Sequence, residues 1–186
     1  KKDTQILNNP KPKLLDNLDK YLPMAAWDLL KMDLYRAHNW HCFEDINKRK
    51  PYGAIYTSLG CPYKCTFCCI NAPFGTSTIR YKSPSLVVQE IIFLHKTYGI
   101  KNLKIIDEMF VLDTRHYMQI VELLIEANLD LNIWAYARVD SVKPQTLTKM
   151  KQAGFKWLAL GIESASSEVR DDVSKKIKVS DIKDLV

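Results

Sequence analysis

Cys61, Cys65 and Cys68 stand in "CPYKCTFC" with three residues between the first two and two between the second pair. Thiolates are soft ligands for iron and zinc, and three on one short loop can hold three metal corners at once. An iron–sulfur cubane normally takes four cysteines. Three leave one iron without a protein ligand, and an open coordination site is where chemistry can happen. Cys69 follows Cys68 directly, and in extended backbone its side chain points the other way, so it is not counted as a fourth ligand. The remaining cysteine, Cys42, lies far upstream. A structural zinc loop would need a fourth ligand at finger or ribbon spacing, and none follows.

The elements around this loop must carry it. "GAIYTSLG" (53–60) reads as a strand rich in β-formers, stopped by Gly60 and Pro62. "SPSLVVQEIIFLHKTYG" reads as a helix: Ser83 can cap it, Pro84 suits the first turn, and Gly99 suits the position after the last. Val87, Ile91, Leu94 and Tyr98 share its apolar face. Three more pairs follow: "NLKIIDEMF" with "DTRHYMQIVELLIEANL", "NIWAYARVD" with "KPQTLTKMKQAG", and "FKWLALGIES" with the start of a helix at "SDIKDLV". About four strand–helix units in a row predict an α/β fold with parallel strands and right-handed crossovers, either an open doubly wound sheet or a barrel.

In either architecture the functional residues belong at the C-terminal ends of the strands. The polar residues collect there. The cysteines follow the first strand, Asp107 and Glu108 end the second, Arg138 and Asp140 end the third, and Glu163 and Ser164 end the fourth. The third strand is two-faced. Ile133, Ala135, Ala137 and Val139 suit packing under helices, whereas Trp134, Tyr136, Arg138 and Asp140 suit a polar interior.

The motif resembles the cluster motif of the radical S-adenosylmethionine (SAM) enzymes, with Phe67 in the aromatic place before the third cysteine. The resemblance covers residues 52–186 and implies a partial (β/α) barrel, present here as an N-terminal portion. It implies a [4Fe–4S] cluster on Cys61, Cys65 and Cys68, whose open iron chelates S-adenosylmethionine. The reduced cluster of such enzymes cleaves that cofactor to methionine and a 5′-deoxyadenosyl radical, with electrons from a donor such as flavodoxin or ferredoxin. Asp107 and Glu108 fall where the family carries a Gly-Gly-Glu-like motif near the methionine amino group, although the glycines are missing. Alternation does not say which of the two faces the ligand. Glu163 and Ser164 fall where the family often contacts the ribose, and Arg138 could pair with the cofactor carboxylate.

Residues 1–50 are of another character. Pro10, Pro12, Pro23 and Pro51 punctuate them, no strand alternation appears, and only "MAAWDLLKMDLYRAH" suggests a short helix. "LPMAAWDLLKMDLY" before the barrel resembles the connector from an upstream cobalamin-binding domain. "IRYKSPSLVVQEI", with Arg80, resembles the arginine-bearing strip after the cluster in that branch. The implied outcome is cobalamin-dependent methyl transfer to an unactivated centre, with cobalamin held by a domain outside this chain. The alternatives are a radical SAM enzyme of another outcome (cyclisation, rearrangement or tRNA methylthiolation) and a non-enzymatic metal-binding scaffold. His38, His41 and Cys42 in "HNWHC" suggest a metal, but an ordinary turn accounts for them and the cobalamin signature is absent.

Composition agrees with a cytoplasmic, soluble protein. No apolar run is long enough for a membrane and no secretory signal is present. The net charge of +6 is spread among acidic residues, which argues against a nucleic-acid surface. The absence of an initiator Met and the abrupt end at "DIKDLV" read as a piece of something longer. The substrate is not legible.

Overall fold

The computed structural model describes residues 6, 9–10, 13–175 and 177–185. The opening of the expected arm, residues 1–5, 7–8 and 11–12, lies largely outside the described residues. A short helix α1 (Leu18–Tyr21) is followed by strands β1 (Tyr52–Ile55), β2 (Ser58–Gly60) and β3 (Ile79–Tyr81). Then come α2 (Pro84–Tyr98), β4 (Asn102–Ile105), α3 (Thr114–Ala127), β5 (Asn132–Arg138), α4 (Pro144–Gln152), β6 (Phe155–Gly161), α5 (Ser167–Asp172) and α6 (Val179–Leu185). β1, β4, β5 and β6 form one parallel sheet in that order. Each crossover carries a helix, as strand–helix alternation requires. The chain is therefore the partial (β/α) barrel expected from its sequence.

The helix caps follow local chemistry. Asp113 accepts from the amides of Arg115 and His116 at the start of α3. Gly99, with φ 64°, closes α2 by donating its amide to the Leu94 carbonyl. Ser83 holds the N-cap place of α2 but makes no side-chain cap bond; its amide is taken by Asp19 Oδ1 at 2.7 Å. The outer sheet face is apolar. Ile55, Leu103, Ile105, Ile133 and Ala135 pack under Val87, Ile91, Leu94, Ile120 and Leu124, all buried. At about 1.5–3 kcal/mol per large side chain, this face dominates stability. The inner face carries Lys104, Trp134 and Tyr136, with the ammonium 4.8 Å from the Tyr136 ring centre. It is left to bear ligands.

Two elements depart from the sequence expectation. The expected strand over 53–60 is broken. β1 ends at Ile55, and β2 leaves the sheet to pair antiparallel with β3. Buried Asp107 causes the break: it accepts from the Thr57 amide at 2.6 Å and from the Thr57 and Ser58 hydroxyls at 2.5 and 2.7 Å. These bonds replace ladder bonds and turn the chain outward. The arm holds no regular helix over "MAAWDLLKMDLYRAH". It makes short 3-10 turns at Trp27–Leu29 and Met32–Leu34. Its buried residues Trp27, Met32 and Ala37 recur every five positions, a spacing that no helix face provides.

From Leu15 onward the arm is bound to the barrel. Leu15 and Asp19 meet Arg80 and Ser83 near the cluster loop. Buried Glu90 accepts from Trp27 Nε1 at 3.0 Å and from Lys82 Nζ at 2.7 Å. Trp27, Leu30, Met32 and Tyr35 gather over Tyr52, Gly53 and Ala54, the otherwise open edge of β1. Covering an edge strand in this way removes a route to aggregation.

Candidate functional site

The cysteine loop spans β2 to β3, so it hangs from a two-stranded ribbon that Asp107 pins to the top of the sheet. Gly60 is required at the start. Its φ is +94°, and a Cβ there would strike the Thr78 carbonyl of the returning strand. Cys61 follows and is buried, whereas Cys65 is half-buried and Cys68 exposed. The loop turns tightly, with the Cys68 amide on the Cys65 carbonyl at 3.1 Å. Thr66 reaches across to the Val173 carbonyl at 3.3 Å, which ties the loop to the segment after β6. Phe67 projects outward, 56% exposed.

All three thiols are free. Burial pushes the Cys61 thiol up, and the nearby charges of Cys68, Cys65 and Glu108 push it further, while the Tyr63 amide opposes them. Glu108 therefore belongs to the same neighbourhood. Among the described residues, no three His, Cys, Asp or Glu side chains converge on a point that would suit one metal ion. A cubane does not ask for that, since each thiolate ligates a different iron. Three soft donors on one loop fit a cluster with one open corner.

The two acids after β4 separate. Asp107 is wholly buried, and its oxygens are taken by Thr57 and Ser58. Burial pushes its carboxyl up and those bonds pull it back. It shapes the ribbon, with its carboxylate bonded to Thr57 and Ser58. Glu108 keeps a buried Oε2 with no partner among the described residues. Burial raises its carboxyl, with the Asp107 charge adding and the Gly60 amide opposing. A buried acceptor without a donor is a costly arrangement unless a ligand supplies one. An ammonium, such as that of a methionine group, would relieve it.

At the end of β6, Glu163 sits in left-handed backbone, φ 67°, at a cost on the order of 1–3 kcal/mol. Its Oε1 accepts from Lys175 Nζ at 2.5 Å. The ammonium lies over Gly161, where any Cβ would come within 2.7 Å of it. Ser164 accepts from the Ser166 amide through its hydroxyl and from Arg170 Nη1 through its carbonyl. Its position is thus fixed by buried Arg170. Lys175 was not legible as a site residue. It lies twelve positions beyond Glu163 and returns through α5 and a left-handed turn at Ser174, φ 57°, and neither is signalled by periodicity.

Arg138, at the end of β5, has its fork engaged within the chain. Asp140 takes its Nε and Nη2 at 2.9 and 2.8 Å, and its guanidinium lies 4.0 Å from the Tyr63 ring centre. His38, His41 and Cys42 lie at the opposite end of the sheet, where His41 bonds the Asn132 carbonyl at 2.8 Å and Cys42 meets Asn102. That arrangement ties the arm to the starts of β4 and β5, and among the described residues it gathers no group of three metal-ligating side chains.

The profile of the Radical SAM superfamily matches residues 55–186. An uncharacterized methyltransferase of Pyrococcus horikoshii is 32% identical over 177 residues, covering 95% of this chain and 36% of that protein. An anaerobic magnesium-protoporphyrin IX monomethyl ester cyclase of Synechocystis is 24% identical, over 97% of this chain and 34% of its own length. The chain thus spans about a third of the curated relatives it matches. The radical SAM methyltransferase TsrM of Kitasatospora setae, solved with cobalamin and a [4Fe–4S] cluster bound, superposes with a TM-score of 0.64 at 20% identity. That alignment covers 74% of this chain and 28% of TsrM and shows the shared fold.

Proposed function

This chain belongs to the radical SAM superfamily, whose members work with a [4Fe–4S] cluster, S-adenosylmethionine and a reductant, and on that premise we propose that it is the cluster-bearing part of a methyltransferase that also uses cobalamin. The observation that carries the proposal is the loop of Cys61, Cys65 and Cys68 held at the C-terminal end of the parallel sheet. The names of the Pyrococcus relative and of TsrM favour methyl transfer. The chemistry supplied by the bound pair is reductive cleavage of S-adenosylmethionine to methionine and a 5′-deoxyadenosyl radical.

The residues of this chain hold and orient that pair. Cys61, Cys65 and Cys68 would ligate the cluster, leaving one corner for the cofactor. Glu108 offers its unpartnered oxygen to the methionine ammonium. Glu163 accepts from the ribose hydroxyls, with Lys175 holding its carboxylate in place. Phe67 and Ser164 border the adenosine, one on the cluster loop and one on the strand end. The arm over 1–50 joins a cobalamin-binding domain outside this chain, and its part from Trp27 to Tyr35, packed along α2 and β1, sets where that domain meets the barrel. A flavodoxin or ferredoxin, in a cytoplasmic setting, supplies the electron. Among the described residues no helix is long and apolar enough to cross a membrane.

The cyclase relative favours a second reading, a radical enzyme of another outcome. The test uses protein expressed from its complete reading frame and reconstituted anaerobically. Iron and sulfide near four each, with 5′-deoxyadenosine released on reduction, support the radical reading. Cobalamin retained through purification supports methyl transfer over the second reading. A protein loaded with zinc alone, releasing no deoxyadenosine, would return the scaffold reading to first place.

A further inference from the structure

Arg138 has three kinds of contact, and only two of them serve the fold. Its side chain is 7% exposed, at the last position of β5. The fork formed by Nε and Nη2 is closed on Asp140 Oδ1 and Oδ2 at 2.9 and 2.8 Å. A bidentate pair of this kind fixes the guanidinium plane. The face of that plane rests against Tyr63, two residues after Cys61, with Cζ 4.0 Å from the ring centre. The third contact comes from Nη1, which neither of these partners uses. It points at Cys65 Sγ, 3.9 Å away.

A guanidinium is always charged and has no acceptor, so the free Nη1–H can only donate. A buried cation beside a ligand sulfur has a definite electrostatic consequence. A cluster gains one negative charge on reduction, and a nearby positive charge stabilises the reduced form more than the oxidised one. Hydrogen bonds to ligand sulfurs act in the same direction. We infer that Arg138 is a positioning residue for the cluster: fixed by Asp140 and Tyr63, it donates to the Cys65 thiolate and holds the reduction potential of the cluster up. The geometry thereby reassigns a residue whose sequence position suggested the cofactor carboxylate. The inference rests on cluster ligation by Cys61, Cys65 and Cys68.

The test compares wild type with Arg138→Met and Arg138→Lys, each made from the complete reading frame and reconstituted anaerobically. The readouts are iron content, the midpoint of an EPR-monitored redox titration, and S-adenosylmethionine affinity for the oxidised cluster. Arg138→Met is expected to hold full iron and to titrate at a more negative midpoint. Arg138→Lys, which keeps the charge and loses the planar fork, is expected to shift less in the same direction. Affinity is expected to stay within about twofold of wild type in both. A midpoint equal to wild type in Arg138→Met overturns the inference. So does a large affinity loss with no midpoint shift, which would place Arg138 on the cofactor. If Arg138→Met does not accept a cluster, Arg138→Gln carries the same midpoint test. A wild type that takes up no iron overturns the cluster reading itself, an outcome separate from all of these.

Discussion

At the N-terminal ends of the strands, Cys42 donates to Asn102 Oδ1 at 3.3 Å. There Asn102 also holds the Lys48 carbonyl, Asn132 holds the His41 carbonyl, and His41 returns to the Asn132 carbonyl. At the C-terminal ends, Cys61, Cys65 and Cys68 are free thiols, Glu108 has an oxygen without a donor among the described residues, and Glu163 stands in left-handed backbone. Both ends gather cysteines beside polar partners. The floor pairs most of its polar atoms with one another, although among the described residues buried Asn132 Oδ1 is left without a partner. The mouth also leaves one over, Glu108 Oε2, but there it stands near three cysteines of a single loop, a grouping that a ligand can use. Burial pushes the Cys42 thiol up and keeps it protonated, a poor metal ligand. Cys61 is pushed up as well, but two further thiols stand beside it to share an iron–sulfur core.

The contrast breaks most sharply under cysteine substitution. Ala at Cys61, Cys65 or Cys68 is expected to abolish the cluster, because each thiolate is the only protein ligand to its iron. Ala at Cys69 should leave iron content and visible absorbance intact, as should Cys42→Ser at the floor. Anaerobic reconstitution with iron and sulfide analysis measures this. Loss of the cluster in Cys69→Ala alone would mean that the ligands are misassigned.

Asp107 tests whether the mouth depends on its scaffold. Asp107→Ala leaves the Thr57 amide and two buried hydroxyls without their acceptor. Losing hydrogen bonds to a charged group should cost about 3 kcal/mol or more. The ribbon that carries the cysteine loop should loosen with them. Urea unfolding would show the lower stability, and slower cluster uptake would show the released loop. Full stability in Asp107→Ala would return Asp107 to the ligand side of the account.

Much of this was legible in the sequence and some was not, for physical reasons. The strand–helix alternation and the closing glycine at Gly99 are local signals, and the structure follows them. The break between Ile55 and Ser58 is not local. It depends on a carboxylate about 50 positions away, at Asp107, which no period could reveal. The same bond separates Asp107 from Glu108, two acids that alternation alone could not rank. α5 was missed because it is six residues long and lies within an apparent loop. The arm's attachment was missed because its anchors, Trp27, Met32 and Ala37, follow the barrel surface and no regular element.

Glu163 sharpens the comparison at the mouth. Glu163→Gln keeps volume and loses the charge that accepts two ribose hydroxyls. At about 1.5–3 kcal/mol for a charge-assisted bond, S-adenosylmethionine affinity should fall roughly tenfold while the cluster stays intact. Lys175→Met should produce a smaller loss, since the carboxylate remains but is no longer aimed. Equilibrium binding to the reconstituted protein measures both. Unchanged affinity in Glu163→Gln would make the Glu163–Lys175 pair a strut of the fold.

The floor supplies the smallest effect and the one with a pH signature. Burial lowers His41 below its ordinary range, the bond to the Asn132 carbonyl opposes this, and the Lys104 charge adds a little. The unfolded chain takes up a proton on this ring near pH 6.5, roughly the unperturbed value, whereas the folded chain resists it. Stability is therefore full above that pH and falls as the pH drops toward the folded value, by on the order of 1 kcal/mol for each unit of depression. His41→Gln removes the titrating group and can still donate to the Asn132 carbonyl. Its thermal midpoint should be lower than wild type at neutral pH and should fall less between pH 7 and pH 5. A wild-type midpoint that is flat over that window, with the carboxylates still ionised, would show that His41 accepts its proton in place and that the floor is as open as the mouth.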